Sequence, residues 1–198
     1  MTDAYSRSGY YAAELDEHAE VLRAARQHLA EPFARILDLW VAAIRRGNKI
    51  LFFGNGGSAG DAQHLATELT VRFKANRPPI AALALTTDTS TLTAIGNDLG
   101  FDQLFARQIE AIGRSGDVAV AISTSGKSPN VIEGLKAARR MGMATVAFGG
   151  GSGGNMGPLS DAVLIVPSAT TARIQEMHIT FGQMLCGALE RELGLAQG

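Results

Sequence analysis

Two short polar stretches carry residue types suited to holding an anion. Gly54-Asn55-Gly56-Gly57-Ser58 and Ser123-Thr124-Ser125-Gly126-Lys127-Ser128 each follow an apolar run and lead into a helical pattern. A helix starting at such a point offers unpaired backbone N–H groups and the positive end of its dipole, which suits a phosphate. Glycine lets the main chain approach the anion, and hydroxyls add neutral donors. The same residue types are common at ordinary strand-to-helix turns, where they serve as caps. The second stretch exceeds that need, because four of the six residues from Ser123 to Ser128 are Ser or Thr and one cap takes one. Neither stretch matches the lysine-bearing P-loop or G-x-G-x-x-G, so no nucleotide cofactor is expected.

The helical segment after the first stretch runs Asp61-Ala62-Gln63-His64-Leu65-Ala66-Thr67-Glu68. His64 and Glu68 are four apart and project from one face, a spacing that could hold a metal or set a carboxylate base beside a substrate. It is equally the spacing of an ordinary surface or capping pair. The last helical segment begins Ala172-Arg173-Ile174-Gln175-Glu176-Met177-His178. Gln175 falls in its first turn, where a side chain can reach over strand ends. His178 reads as a structural histidine, and Ile174, Met177, Phe181, Met184, Leu185 and Leu189 form the packing stripe.

The elements that must position these groups alternate. Ile50–Phe53, Ala81–Leu85, Val118–Ile122, Ala144–Phe148 and Val163–Val166 are short apolar runs of the kind buried on both faces in a parallel sheet. Helical patterns fall between them: Ala59 to about Phe73, Leu92–Ile95 with Phe101–Ile112, Asn130–Met141, and Ala172 to about Leu193. Gly149–Gly157 reads as a loop. The prediction is an α/β fold with a five-stranded parallel sheet covered on both sides. Two helices precede it, the second entered at Glu31-Pro32, where proline suits a first helical turn. Residues 1–48 thus form an N-terminal helical extension and residues 49–198 one compact unit.

Composition narrows the class. The 198 residues carry 18 Lys+Arg against 19 Asp+Glu, a formal charge of −1, so no broad basic surface for nucleic acid is expected. With 46% apolar and 19% charged residues the chain is too apolar to be disordered. A single cysteine, Cys186, makes neither an internal disulfide nor a thiolate cluster. No apolar run approaches the roughly 18–20 residues of a membrane span, and the opening residues are too acidic and polar for a signal peptide. A soluble cytoplasmic protein is expected.

With the motifs placed, the chain resembles the sugar-isomerase (SIS) domain family, and within it the bacterial phosphoheptose isomerases. The resemblance runs from about Leu37 to Leu193 and rests on four segments in order: GNGGSAGDAQHLATEL from Gly54, TAIGNDLGF from Thr93, AISTSGKSPNV from Ala121 and ARIQEMHI from Ala172. It implies a flavodoxin-like three-layer fold, a homotetramer with sites between subunits, and interconversion of sedoheptulose 7-phosphate with D-glycero-D-manno-heptose 7-phosphate on the route to the ADP-heptose of lipopolysaccharide. By motif match, substrate contacts fall on Asn55, Gly56, Gly57, Ser58, Asn97, Asp98, Ser123, Thr124, Ser125, Ser128 and Gln175. Glu68 is the carboxylate that moves a proton between C1 and C2. Zinc-binding members use the equivalents of His64, Glu68 and Gln175 plus a histidine eight residues after that glutamine.

Here the chain departs from the pattern, because that position is Gln183. An amide donates and accepts hydrogen bonds but exchanges no proton near neutral pH, and it is a far poorer zinc ligand than imidazole. Weak or absent zinc binding is therefore expected. Two functional readings follow. In one, an isomerase works with Glu68 as base and Gln183 polarising the substrate oxygen or holding a water. In the other, the chain is a non-catalytic module that senses a phosphosugar or binds a partner, like the relative that associates with the replication initiator. That relative lacks the carboxylate corresponding to Glu68, which favours the enzyme.

Overall fold

The computed structural model describes residues 6–196. Two helices lead, α1 (Arg7–His28) and α2 (Ala30–Arg45). Ser6 caps α1 by accepting the Gly9 amide at 3.3 Å, and the chain bends at Leu29. Pro32 lies in the first turn of α2, where its missing N–H costs no helical bond. One face of α2 buries Ile36, Trp40, Val41 and Ala43, and the Trp40 ring stands edge-on to Phe52, centroids 5.5 Å apart.

The sheet is built from β1 (Ile50–Gly54), β2 (Ala82–Ala84), β3 (Val118–Ile122), β4 (Ala144–Gly150) and β5 (Ala162–Val166). All neighbours pair in parallel, in the order β2-β1-β3-β4-β5. Between the strands run α3 (Gly57–Thr70), α4 (Thr89–Asp98), α5 (Ala106–Ile112) and α6 (Pro129–Arg140), and α7 (Thr171–Glu192) follows β5. Strand residues alternate between two layers. Ile50, Phe52, Val118, Val120, Ile122, Val146 and Phe148 pack with α1, α2, α3 and α7. Leu51, Phe53, Ala119, Ala121 and Ala147 pack with α4, α5 and α6. This is the expected three-layer, flavodoxin-like arrangement.

Several boundaries differ from the sequence reading: α3 runs Gly57–Thr70 rather than Ala59 to about Phe73, the Phe101–Ile112 segment divides into a 3-10 turn (Phe101–Gln103) and α5, and three more shift for a clear local reason. β2 shrinks to three residues because it is an edge strand with a single neighbour, and Leu83 is turned outward, 43% exposed. β4 extends through Gly149 and Gly150, which pair with Ile165 and Val166; glycines have no side chain to announce a strand. α4 begins three residues earlier than its apolar pattern because Asp88 caps it, accepting the Thr91 amide at 3.0 Å.

The strand order sets the position of the site. β1 and β3 are adjacent, yet their following helices, α3 and α6, lie in opposite layers. The chain therefore parts at the carboxyl end of this strand pair, the switch point where open parallel sheets bind ligands.

Candidate active site

The two polar stretches follow adjacent strands, and the first is bonded to the helix that the second leads into. Asn55, after β1, and Asn130, in the first turn of α6, form a reciprocal amide pair: Asn55 Nδ2 donates to Asn130 Oδ1 at 2.8 Å and Asn130 Nδ2 to Asn55 Oδ1 at 2.9 Å. Asn130 is 1% exposed, so this pair is fully enclosed on one side. Gly56 caps α3 with φ 57° and ψ −121°, a conformation that glycine adopts without strain. Ser58, the second residue of the helix, is buried.

In the second stretch the Ser123 hydroxyl accepts the Gly126 amide at 3.2 Å and the Ser125 hydroxyl accepts the Lys127 amide at 3.3 Å. Two of the four hydroxyls thus shape the loop itself. Ser128 occupies the cap position of α6, yet its hydroxyl makes no cap bond and lies 3.4 Å from that of Ser123. The loop is backed by β4 and the glycine-rich chain after it: Ser123 N–H donates to Phe148 O, Gly150 N–H to Thr124 O, and Asn155 N–H to Gly126 O. His178 braces this backing, its Nε2–H donating to Gly149 O at 3.1 Å from a fully buried ring. Burial lowers its pKa from 6.5 to about 4, against the hydrogen bond to Gly149, so the ring is neutral.

A second group forms where α3 meets α7. His64 Nε2 stands 3.0 Å from Glu68 Oε1 and 3.1 Å from Gln183 Nε2, joining residues 119 apart in the chain. One ring nitrogen cannot both donate to a carboxylate and accept from an amide. The amide rotamer that satisfies all three groups presents its oxygen, so that one Nε2–H is shared between two acceptors. The side chains of His64 and Glu68 are 48% and 19% exposed, open enough for a substrate to reach. Gln175, in the first turn of α7, lies over Gly57: a Cβ there would come within 2.9 Å of the Gln175 Cδ. Gly57 therefore leaves room for that amide at the start of α3. A hollow of ≈ 930 Å³ opens beside Gln183 between α7 and the chain following α3.

Asn97 and Asp98 stand apart from both groups. They are exposed at the end of α4, and Asn97 Nδ2 donates to Asp98 Oδ1 at 2.7 Å. Among the described residues no hydrogen bond joins them to the loops or to Glu68.

The chain matches the SIS domain family over residues 14–150. It is 56% identical over 177 residues to the phosphoheptose isomerase of Paramagnetospirillum magneticum, covering 89% of this chain and 92% of that one. The chain belongs to the phosphoheptose isomerase family. Solved structures agree: the phosphoheptose isomerase of Neisseria gonorrhoeae superposes with a TM-score of 0.89 at 44% identity, covering 94% of this chain and all of that one. That of Francisella tularensis gives 0.92 at 33% identity, with the same coverage.

Within this family fold, the donor set around His64 bears on zinc. A catalytic zinc site takes three side chains from His, Cys, Asp and Glu. Among the described residues no three of these stand close enough to hold a metal. His64 and Glu68 are two, and Gln175 and Gln183 add only neutral amides, weak donors for this ion. The residues do not fit a zinc site, and no step below is routed through one.

Two residues at the site escaped the sequence reading. Asn130 appeared there only as a helix start, and its pairing with Asn55 joins loops 75 residues apart. Asp61 was passed over although it precedes His64 by three residues and Glu68 by seven, on one helical face. Among the described residues its buried Oδ2 finds no hydrogen-bond partner. Burial raises its pKa to about 6, opposed by the charge of His64.

Proposed function

We propose that the protein interconverts sedoheptulose 7-phosphate and D-glycero-D-manno-heptose 7-phosphate through an enediol. The observation carrying this reading is the meeting of Glu68, His64 and Gln183 in a chain that shares its family with proteins named phosphoheptose isomerase. The phosphate sits between the start of α3 and the Ser123–Ser128 loop, held by main-chain amides and hydroxyls. The sugar then extends along α3 towards Glu68. The Glu68 carboxylate takes the proton from the carbon beside the carbonyl, and the electron pair of that C–H bond becomes the carbon–carbon double bond of the enediol. Gln183 donates a hydrogen bond to the substrate oxygen where negative charge collects. In the enediolate the proton of the adjacent hydroxyl passes to the former carbonyl oxygen, and Glu68 returns its proton to the former carbonyl carbon, which leaves the new carbonyl on the carbon first deprotonated and completes the aldose–ketose exchange.

Further features of the reading follow from the family and from the surface. Tyr11, Leu15, Leu22 and Met184 are exposed apolar side chains, and Leu22, Leu29, Phe33, Phe181 and Met184 line a hollow of ≈ 480 Å³; subunit packing as a homotetramer would cover them. No helix among the described residues is long and apolar enough to cross a membrane, which agrees with a cytoplasmic step in supplying ADP-heptose for lipopolysaccharide. Zinc binds weakly or not at all; one zinc per subunit in protein purified without added metal would contradict this.

The deciding assay incubates the purified protein with sedoheptulose 7-phosphate and follows aldose formation. The reading requires turnover well above that of Glu68→Gln. Turnover no higher than that variant's defeats it and favours the non-catalytic reading that Gln183 also permits. That second reading fails if turnover is already substantial and Gln183→His leaves it unaltered.

A further inference from the structure

Arg77 lies in the chain between α3 and β2, and its side chain is 1% exposed. Four of the five N–H groups of its guanidinium donate. Nε donates to Glu190 Oε1 at 2.8 Å, Nη1 to the carbonyls of Leu69 at 2.7 Å and Pro78 at 3.0 Å, and Nη2 to the carbonyl of Glu68 at 2.8 Å. Glu190, on α7, is equally buried and also accepts the amides of Phe73, Lys74 and Ala75 at 3.1, 3.3 and 3.2 Å. The pair has no solvent to fall back on, and every partner it uses is fixed by the fold.

Its connections lead to the site. The last carbonyls of a helix lack partners within it, and α3 has no basic residue in its final turn to serve them. Arg77 serves two of them, one belonging to Glu68 itself. Glu190 stands on the same helix as Gln183, seven residues and about two turns further on. Between these points α3 and α7 touch closely, since a Cβ on Gly182 would lie 2.6 Å from the Leu65 side chain. By contrast, the anion loops lie at the opposite end of α3, at Gly57, and receive no bond from this pair among the described residues.

We propose that the buried Arg77–Glu190 pair is a positioning device that locks the last turn of α3 to α7 and so fixes Glu68 against the reacting carbons. This rests on the isomerase reading. Neither residue touches substrate; both act through the main chain that carries Glu68. The lock governs the proton-transfer step and leaves phosphate capture alone.

The test compares Arg77→Lys and Glu190→Gln in the full chain, with sedoheptulose 7-phosphate as substrate and hydrogen exchange read in parallel. Lysine can still pair with Glu190 but cannot span the three carbonyls as the planar fork does. Glu190→Gln keeps the shape and one acceptor oxygen, and it serves should Arg77→Lys fail to fold. For both variants the lock predicts a kcat lower by about ten-fold or more, with KM within about two-fold of wild type. Exchange should quicken in residues 68–72 and stay unchanged in β1 and β3. Faster exchange with unchanged kcat makes the pair a structural clamp only and overturns the proposal, as does a raised KM with unchanged kcat. Unaffected kcat in both variants beside an active wild type defeats the lock alone; an inactive wild type defeats the isomerase reading and the lock's catalytic role with it.

Discussion

At the rim where β1 and β3 end, an anion would meet mostly main chain: the start of α3 behind Gly56, and a serine loop whose own hydroxyls fold it around Gly126. Where α3 faces α7, a substrate would meet side chains: Glu68, His64 and Gln183 joined through one imidazole nitrogen. The first region is a property of topology, because any chain that threads β1 and β3 side by side with helices leaving in opposite directions offers helix starts there. The second depends on the identity of very few residues. On the proposed reading, an exchange at 183 would alter the proton chemistry and leave the phosphate grip in place. The departure of this chain from the family pattern falls in the second region, where one substitution has the largest chemical consequence.

The largest expected effect isolates the side-chain region. Glu68→Gln should lower kcat by about 10²–10⁴-fold, the usual contribution of a positioned acid–base group, while KM changes by less than about three-fold. Steady-state kinetics check it, and a KM effect exceeding the kcat effect would erase the distinction between the regions. Asn130→Leu attacks the other side. Leaving Asn55 without its amide partner should raise KM by about ten-fold and cost roughly 1–3 kcal/mol of stability, with kcat nearly kept. Kinetics with a denaturant titration measure both.

Acid should weaken the backing of the serine loop. The folded pKa of His178, about 4, lies below its unfolded 6.5, so the fold favours the neutral ring. That contribution is complete above about pH 6.5 and is lost as pH falls through 6.5 towards 4, on the order of 3 kcal/mol. His178→Gln, which does not titrate, should flatten stability across that window in denaturant melts at pH 7 and 4.5. Asp61 gives the smallest effect and the opposite sign. Its pKa is raised to about 6, so the fold favours the protonated acid, and the contribution present below about 3.8 is lost as pH rises through 6. Discounted for solvent reaching the group, Asp61→Asn should gain about 1 kcal/mol at pH 8 and nothing at pH 3.

Much of this was legible from the residues. β1 and β3 announced themselves because a strand buried on both faces must be apolar throughout, and Ile50–Phe53 and Val118–Ile122 are. Gly149 and Gly150 were invisible as strand because the pattern is written in side chains that they lack. The two polar loops were legible as strand-to-helix turns because helix starts need small polar residues locally. Their hydroxyl count was only partly a ligand signal, since Ser123 and Ser125 use theirs on the loop. The Asn55–Asn130 and His64–Gln183 contacts were not legible, because each joins residues brought together only by the stacking of distant elements. Gln183 itself stood out only against the family resemblance.

On the proposed reading the rim holds the phosphate and thereby brings the sugar's first two carbons to Glu68. A crystal structure with sedoheptulose 7-phosphate bound tests it most directly. The expected result is phosphate oxygens within hydrogen-bond reach of the Ser123–Ser128 loop and the start of α3, with a Glu68 carboxylate oxygen within about 3.5 Å of C1 or C2. Phosphate bound elsewhere on the protein, or the Glu68 carboxylate turned away from those carbons, would contradict it.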